Sequence, residues 1–210
     1  MSKLFRILFL FLFVVFLLPT VYYFVVGFPE FLVQKDFGYK LWFGLHIVSG
    51  TVVYVIAPFQ LSASMKKGIS KQHPLLGRVF LVASLVCILS LYLAVLPNSL
   101  CKSCIPSQYA TTTLWLLFLV FGFYSIRKQK IIYHQRFMMS AFICAAYFVT
   151  VRVINLIFMG FFRWITPNEH WSLLVSDVSV WFVPLLIVWV IWWRKDYNRS
   201  KSFIIKQEKT

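Results

Sequence analysis

Six long apolar segments, each bounded by charged residues, Pro, Gly or Asn, constrain this chain more than any other feature. A helix needs roughly 20 apolar residues to cross the hydrocarbon core of a bilayer. Because lipid offers no hydrogen bonds to the backbone, such segments have to be helical. The sequence therefore predicts an all-α integral membrane bundle of about six transmembrane helices. They lie near residues 7–28, 41–59, 79–96, 110–126, 137–162 and 173–193.

The composition agrees with a membrane protein and excludes most soluble classes, because 60% of the residues are hydrophobic and 13% are charged. The net charge of +15 does not indicate a nucleic-acid partner, since the basic residues form short clusters between apolar segments. We find no Ser-His-Asp order, zinc-ligand spacing or phosphate-binding glycine loop. No catalytic or metal-binding residues are therefore assigned, and the predicted partner is the lipid bilayer.

The distribution of basic residues predicts the orientation. Sixteen of the 21 Lys and Arg residues fall in the two termini and in the second and fourth connections. Short cytoplasmic segments retain Lys and Arg, so both termini are predicted to be cytoplasmic in a bacterial inner membrane. Because the connections are short, residues 1–193 are predicted to form one domain, followed by a basic cytoplasmic tail at 194–210.

An intramembrane polar cluster is predicted around Arg152, which lies well inside the fifth apolar segment. A central Arg costs about 2.5 to 3.5 kcal/mol on insertion scales, so its side chain is expected to face the bundle. Asn155 lies on the same helical face, and His46 and Asp177 enter from the outer side. An Arg152–Asp177 ion pair would be either a structural clamp or part of a ligand, quinone or proton site. Gly50, four residues after His46, admits close approach by a helix or flat cofactor.

A second group of polar residues is predicted at the inner membrane surface. Arginine has the fork-shaped donor geometry that suits an anionic headgroup, a quinone or a porphyrin propionate. The alternative is that the arginines only mark the cytoplasmic side and the histidines lie at the interface. The members of this group are Gln60, His73, Arg78, His134 and Arg136.

Cysteines carry a signal about the compartment. Cys101 and Cys104 form a C-K-S-C sequence in the second outer connection, where an oxidising periplasm permits a disulfide. Such a pair is a structural bridge, two free thiols or a redox-active site. Cys87 and Cys144 lie within apolar segments and are predicted to be small packing residues.

Several polar positions, in this order, resemble the bacterial predicted membrane proteins grouped as domain of unknown function 2306. The resemblance runs from about the second to the fifth apolar segment and implies a helical membrane bundle. The positions are His46 with Gly50, Gln60, His73 with Gly77 and Arg78, His134 with Arg136 and Met138, and Arg152.

More distantly, the histidines resemble those of cytochrome b561-type bundles, in which paired His ligands hold haem between helices. A haem between His73 and His134, or a His46 site completed by Met159, would follow this pattern. The sequence thus favours a membrane redox protein that binds haem b or quinone, working with a redox partner or as a homo-oligomer. The alternative is a small-solute or proton transporter or a sensor subunit that uses the intramembrane cluster.

Overall fold

The computed structural model describes residues 34–63 and 72–207, together with Val14 and Leu32. Within these ranges, five helices are long and apolar enough to cross a membrane. The predicted segment 7–28 lies outside the described residues, apart from Val14. The helices are α1 (Phe37–Ala63), α2 (His73–Ser90, continued by a π-helical turn at Leu91–Val95), α3 (Ile105–Arg127), α4 (Ile131–Ile165) and α5 (Glu169–Gln207).

These helices confirm the predicted helical membrane bundle. The described part of the chain contains no strand, and large hydrophobic side chains cover the outward faces of all five helices. Short connections make consecutive helices run in opposite directions. We call the end that carries Cys101 and Cys104 the disulfide end, and the end that carries His73 and His134 the histidine end. Helix α5 continues past Trp193 through most of the basic tail.

His73 and His134 lie outside the predicted apolar segments, but both are helical. Helix α2 begins at His73 because Pro74 occupies the first turn, where its missing N–H has no intrahelical partner to lose. Helix α4 begins at Ile131 because the turn before it is very short. Gln129 adopts a positive φ of 57° there, and the amide of Lys130 donates to the carbonyl of Ser125 at 2.9 Å, which caps α3.

The helices pack as two groups. Helix α1 packs mainly on α2, whereas α4 packs on both α3 and α5, and contacts between α2 and α3 are few. Small side chains fill the space between neighbouring helices, since Ser84, Ala141 and Cys144 are completely buried. Close backbone approach through small residues is typical of helices in lipid. A seam therefore separates the α1–α2 pair from the α3–α4–α5 group.

Polar contacts connect α4 to α5 along the whole length of the bilayer span. Each contact joins a residue of one helix to a residue at a matching height on its antiparallel neighbour. From the disulfide end to the histidine end, they are Ser176–Asn155 (2.5 Å), Tyr147–Asp177 (2.6 Å), Trp189–Ser140 (3.0 Å) and the bidentate Arg136–Asp196 pair (2.6 and 2.8 Å).

The Arg136–Asp196 pair should stabilise the bundle more than an exposed pair does. The Arg136 side chain is only 11% exposed, so Asp196→Asn leaves a largely buried guanidinium without its anion. We expect a loss of about 1 to 2 kcal/mol of unfolding free energy, measured by denaturant titration in micelles. Glu169→Gln, which breaks the exposed Arg163–Glu169 pair, is the control and should cost less than about 0.5 kcal/mol. Equal effects of the two substitutions would contradict this assignment.

Tyr147→Phe tests the contact in the middle of the bundle. The Asp177 side chain is buried. Removing the Tyr147 hydroxyl therefore deprives the carboxyl group of Asp177 of a hydrogen-bond donor that water cannot replace. A loss of about 1 to 2 kcal/mol in the same titration is expected. Tyr92→Phe removes an exposed hydroxyl contact with Thr113 and should change the free energy by less than about 0.5 kcal/mol.

Candidate functional site

A cavity of about 270 Å³ lies at the seam, toward the disulfide end. Its walls come from α1, α2, α3, α4 and the connection between α2 and α3. Aromatic rings form much of the wall, and a few polar groups converge on the interior, as in typical small-molecule sites. The aromatic members are Tyr39, Phe43, Tyr54, Trp115, Phe142, Tyr147 and Phe148, and the main polar members are His46, Asn98, Gln108 and Arg152.

His46 is held in a fixed orientation on the α1 side of the cavity. Its Nδ1 lies 3.3 Å from the thiol of Cys87 on α2, and its ring meets the ring of Phe148 edge to face. Gly50 also lines this wall, and a methyl group there would lie 3.6 Å from the Cys87 sulfur, an ordinary contact. Since Nδ1 is engaged, Nε2 is the His46 nitrogen available to a ligand.

Arg152 lines the cavity from α4 and lies close enough to His46 for their charges to interact. The predicted ion pair between Arg152 and Asp177 is wrong. Within residues 34–63 and 72–207, the ion pairs are Arg136–Asp196 and Arg163–Glu169. Arg152 is separated from Tyr147, the partner of Asp177, by about 140° around α4, so the two side chains face different neighbours.

The predicted four-residue cluster therefore divides into two parts. His46 and Arg152 line the cavity, whereas Asn155 and Asp177 are bound within the α4–α5 interface. Tyr147 links the two parts, because it lines the cavity and its hydroxyl donates to Asp177. Arg152 at the cavity therefore lacks the ion pair with Asp177 that the sequence suggested.

Sequence reasoning missed Tyr147, Gln108 and Trp115 as cavity residues. The indole Nε1 of Trp115 is buried and has no hydrogen-bond partner among the described residues, so an unused donor lies beside the cavity. A polar or amphipathic side chain inside an apolar segment is the signal that could have found them. That signal is weak here, because the chain contains 10 Tyr and 8 Trp.

At the histidine end, three of the predicted residues come together. The side-chain amide of Gln60 donates to the carbonyl of His73 at 3.0 Å, and its oxygen lies 4.0 Å from the position of a methyl group on Gly77. His134 makes a 2.8 Å hydrogen bond from Nδ1 to the carbonyl of Gly122. His73 and His134 are close enough for their charges to interact, and Nδ1 of His73 is buried without a partner in the described structure.

The two arginines at the histidine end do not converge on these histidines as ligand donors. Arg136 is bound by Asp196 and lies near the rings of Tyr133 and Trp192, at 5.8 and 5.6 Å from their centroids. Arg78 is exposed on α2. Asp196 was missed, although an acidic residue within a basic tail is a signal for such a pair.

Cys101 and Cys104 are joined by a disulfide, with 5.3 Å between their Cα atoms. Cys101 is half-buried and lines the same cavity as His46 and Arg152. Cys104 is buried and occupies the N-cap position of α3, without a capping hydrogen bond from its side chain. The disulfide therefore closes the connection at the mouth of the cavity.

Clusters of three or more His, Cys, Asp or Glu residues that could hold a metal ion are absent from the described part of the chain. No curated protein matches the sequence. No solved structure matches it either. A family model, however, matches residues 43–193, which include most of α1 and all of α2, α3 and α4. The chain therefore belongs to the family described as predicted membrane protein, DUF2306.

Proposed function

We propose that this protein is a membrane redox protein that binds the head group of a quinone in the cavity at the seam. The observation that carries the proposal is the guanidinium of Arg152, which forms no ion pair with the described residues and shares an aromatic-walled cavity with His46. An Arg in the bilayer is costly, so one that lacks an ion pair and lines a cavity indicates a ligand.

The chemistry of the cavity suits a quinone. A quinone head group is a flat ring with two carbonyl oxygens, which require donors at separate points. The guanidinium of Arg152 on α4 supplies a charged donor, and Nε2 of His46 on α1 supplies a neutral one when Nδ1 accepts from the Cys87 thiol. The rings of Phe43, Phe142 and Phe148 offer flat apolar surfaces to the head group. Arg152 would also stabilise the negative charge that forms when the ring is reduced.

The depth of the cavity agrees with a ligand that arrives from lipid. His46 lies nine residues from the start of α1, and Arg152 lies thirteen residues from the end of α4. At the helical rise these separations are about 14 and 20 Å, as expected for side chains that lie inside an apolar layer roughly 30 Å thick. A quinone with an isoprenoid tail diffuses in that layer.

Haem b fits this cavity less well than a quinone does. Haem usually needs an axial ligand on each face, but His46 is the one histidine among the cavity residues and Met159 does not line it. His73 and His134 at the histidine end are the remaining pair for a haem. A Soret band in the detergent-purified protein, lost in His134→Leu, would support that alternative.

Arg152→Gln should weaken quinone binding. The charged donor would be replaced by a neutral one, and a hydrogen bond to a charged group contributes about 1.5 to 3 kcal/mol, so Kd should rise about 10- to 100-fold. Binding of a short-chain ubiquinone is measured by isothermal titration of the protein in lipid nanodiscs. The control is Arg163→Gln, which removes an exposed Arg from the same helix and should leave Kd unchanged.

Two results would contradict this proposal. The first is the absence of saturable ubiquinone binding to the wild-type protein. The second is an equal Kd in Arg152→Gln and wild type. A different result would support a transporter: proteoliposomes take up a small anion, and this uptake is lost in Arg152→Gln but retained in Arg163→Gln. A transporter would use the guanidinium of Arg152 to bind the anion.

A further inference from the structure

The disulfide at the mouth of the cavity suggests an activity beyond quinone binding. Cys101 lines the cavity that also contains Arg152 and His46. We propose that Cys101 and Cys104 form a redox-active pair, which takes two electrons from an external dithiol and passes them to the quinone. This inference rests on the proposed quinone site and adds a second substrate class, a dithiol at the disulfide end.

The two sulfur atoms have different environments. Cys101 is half-buried, and its sulfur lies 3.5 Å from the hydroxyl of Ser103, whereas Cys104 is only 3% exposed. Thiol–disulfide exchange requires a thiolate to reach one sulfur and a stable thiolate to leave from the other. Cys101 is therefore the sulfur open to attack, and Cys104 is the leaving group.

The helix that follows the disulfide favours Cys104 as the leaving group. Cys104 is the N-cap residue of α3, a 23-residue helix whose first backbone N–H groups have no intrahelical partner, and in the disulfide its side chain makes no capping hydrogen bond. The partial positive charge at a helix N-terminus stabilises a thiolate. The side chain of Lys102, between the two cysteines, adds a cation in the same turn.

The connection that carries the pair is anchored independently of the disulfide. Nζ of Lys35, before α1, donates to the side-chain oxygen of Asn98 at 2.9 Å. The Asn98 amide donates to the carbonyl of Ala94 in the π-helical turn at 2.8 Å. These contacts tie the connection to both α1 and α2, so we expect Cys101 to keep its place at the cavity when the disulfide is reduced.

In the first half of the reaction, a thiolate of the external dithiol attacks the sulfur of Cys101. A mixed disulfide forms, and the bond between Cys101 and Cys104 breaks, with Cys104 leaving as a thiolate. The second thiol of the external substrate then attacks its own sulfur in the mixed disulfide and releases Cys101. The external dithiol is oxidised to a disulfide, and the protein holds two reduced cysteines.

In the second half, the thiolate of Cys101 adds to a ring carbon of the quinone. The thiolate of Cys104 then attacks the sulfur of Cys101, which forms the disulfide and breaks the sulfur–carbon bond. The electron pair of that bond stays on the ring, which is thereby reduced by two electrons. The two protons lost by the thiols end on the two quinone oxygens, giving a quinol, while Arg152 stabilises the charged intermediate.

A single-turnover experiment tests the redox pair. The protein in nanodiscs is reduced with dithiothreitol, and the reductant is then removed under anaerobic conditions. The reduced protein is mixed with a short-chain ubiquinone. We expect one quinol per protein, measured by ultraviolet absorbance, and the loss of two thiols, measured with a thiol reagent. Cys101→Ser and Cys104→Ser should each abolish quinol formation. Cys144→Ser is the matched control, because Cys144 is buried outside the cavity and should leave the yield unchanged.

Titration of ubiquinone into the oxidised wild-type protein separates the two proposals. Saturable binding there, together with no quinol from the reduced wild-type protein, would overturn the redox pair and leave the quinone site standing. The absence of ubiquinone binding to wild type would overturn both. If a Cys→Ser variant fails to fold, alkylating the reduced wild-type protein with iodoacetamide provides the same comparison. Quinol formation that survives this alkylation would overturn the redox pair.

Discussion

The free-energy cost of an unpaired polar group in hydrocarbon organises the packing of this bundle. Along the α4–α5 interface, polar side chains from one helix meet partners on the other at four heights, from Asn155 to Asp196. Because lipid cannot replace these hydrogen bonds, each one fixes the rotation and height of α5 against α4. The α4–α5 pair thus forms a rigid wall for the rest of the molecule.

The cavity lies outside the α4–α5 interface, where these polar contacts end. The Asp177 carboxyl group accepts from Tyr147 on α4 and forms no ion pair with Arg152, which lines the cavity at the seam. There, α1 and α2 complete the enclosure, and Cys87 orients His46. The result is a site lined by aromatic rings, with a cation, an imidazole and the indole N–H of Trp115, which has no hydrogen-bond partner among the described residues. This donor set suits the proposed quinone, whose ring becomes negatively charged on reduction.

The disulfide lies where the cavity meets the connection after α2. Half-buried Cys101 lines the cavity, and its partner Cys104 occupies the N-cap position of α3. In the proposed reaction, this disulfide would pass electrons between an external dithiol and a quinone that do not meet each other. The histidine end carries a separate group, Gln60, His73 and His134, to which the proposed reaction assigns no step.

Much of the fold, but less of the site, could be predicted from the sequence. Segment length and hydropathy located the spans that became α1 to α5, and the cost of a buried charge selected Arg152 as a notable residue. The predicted helix boundaries were less accurate than the predicted spans. Pro74 was predicted to lie in a connection, although it lies in the first turn of α2. The positive φ of Gln129, in the short turn before α4, has no strong sequence signal.

The sequence by itself determined that this is a helical membrane protein and which polar side chains lie within its apolar layer, because hydropathy and helical rise are local properties. It could not decide which of those side chains meet. Periodicity gives the angle between two residues on one helix, but partners on different helices depend on how each helix is rotated and where it crosses its neighbours. Only the tertiary structure paired Asp177 with Tyr147, left Arg152 to the cavity and brought Cys101 to its mouth.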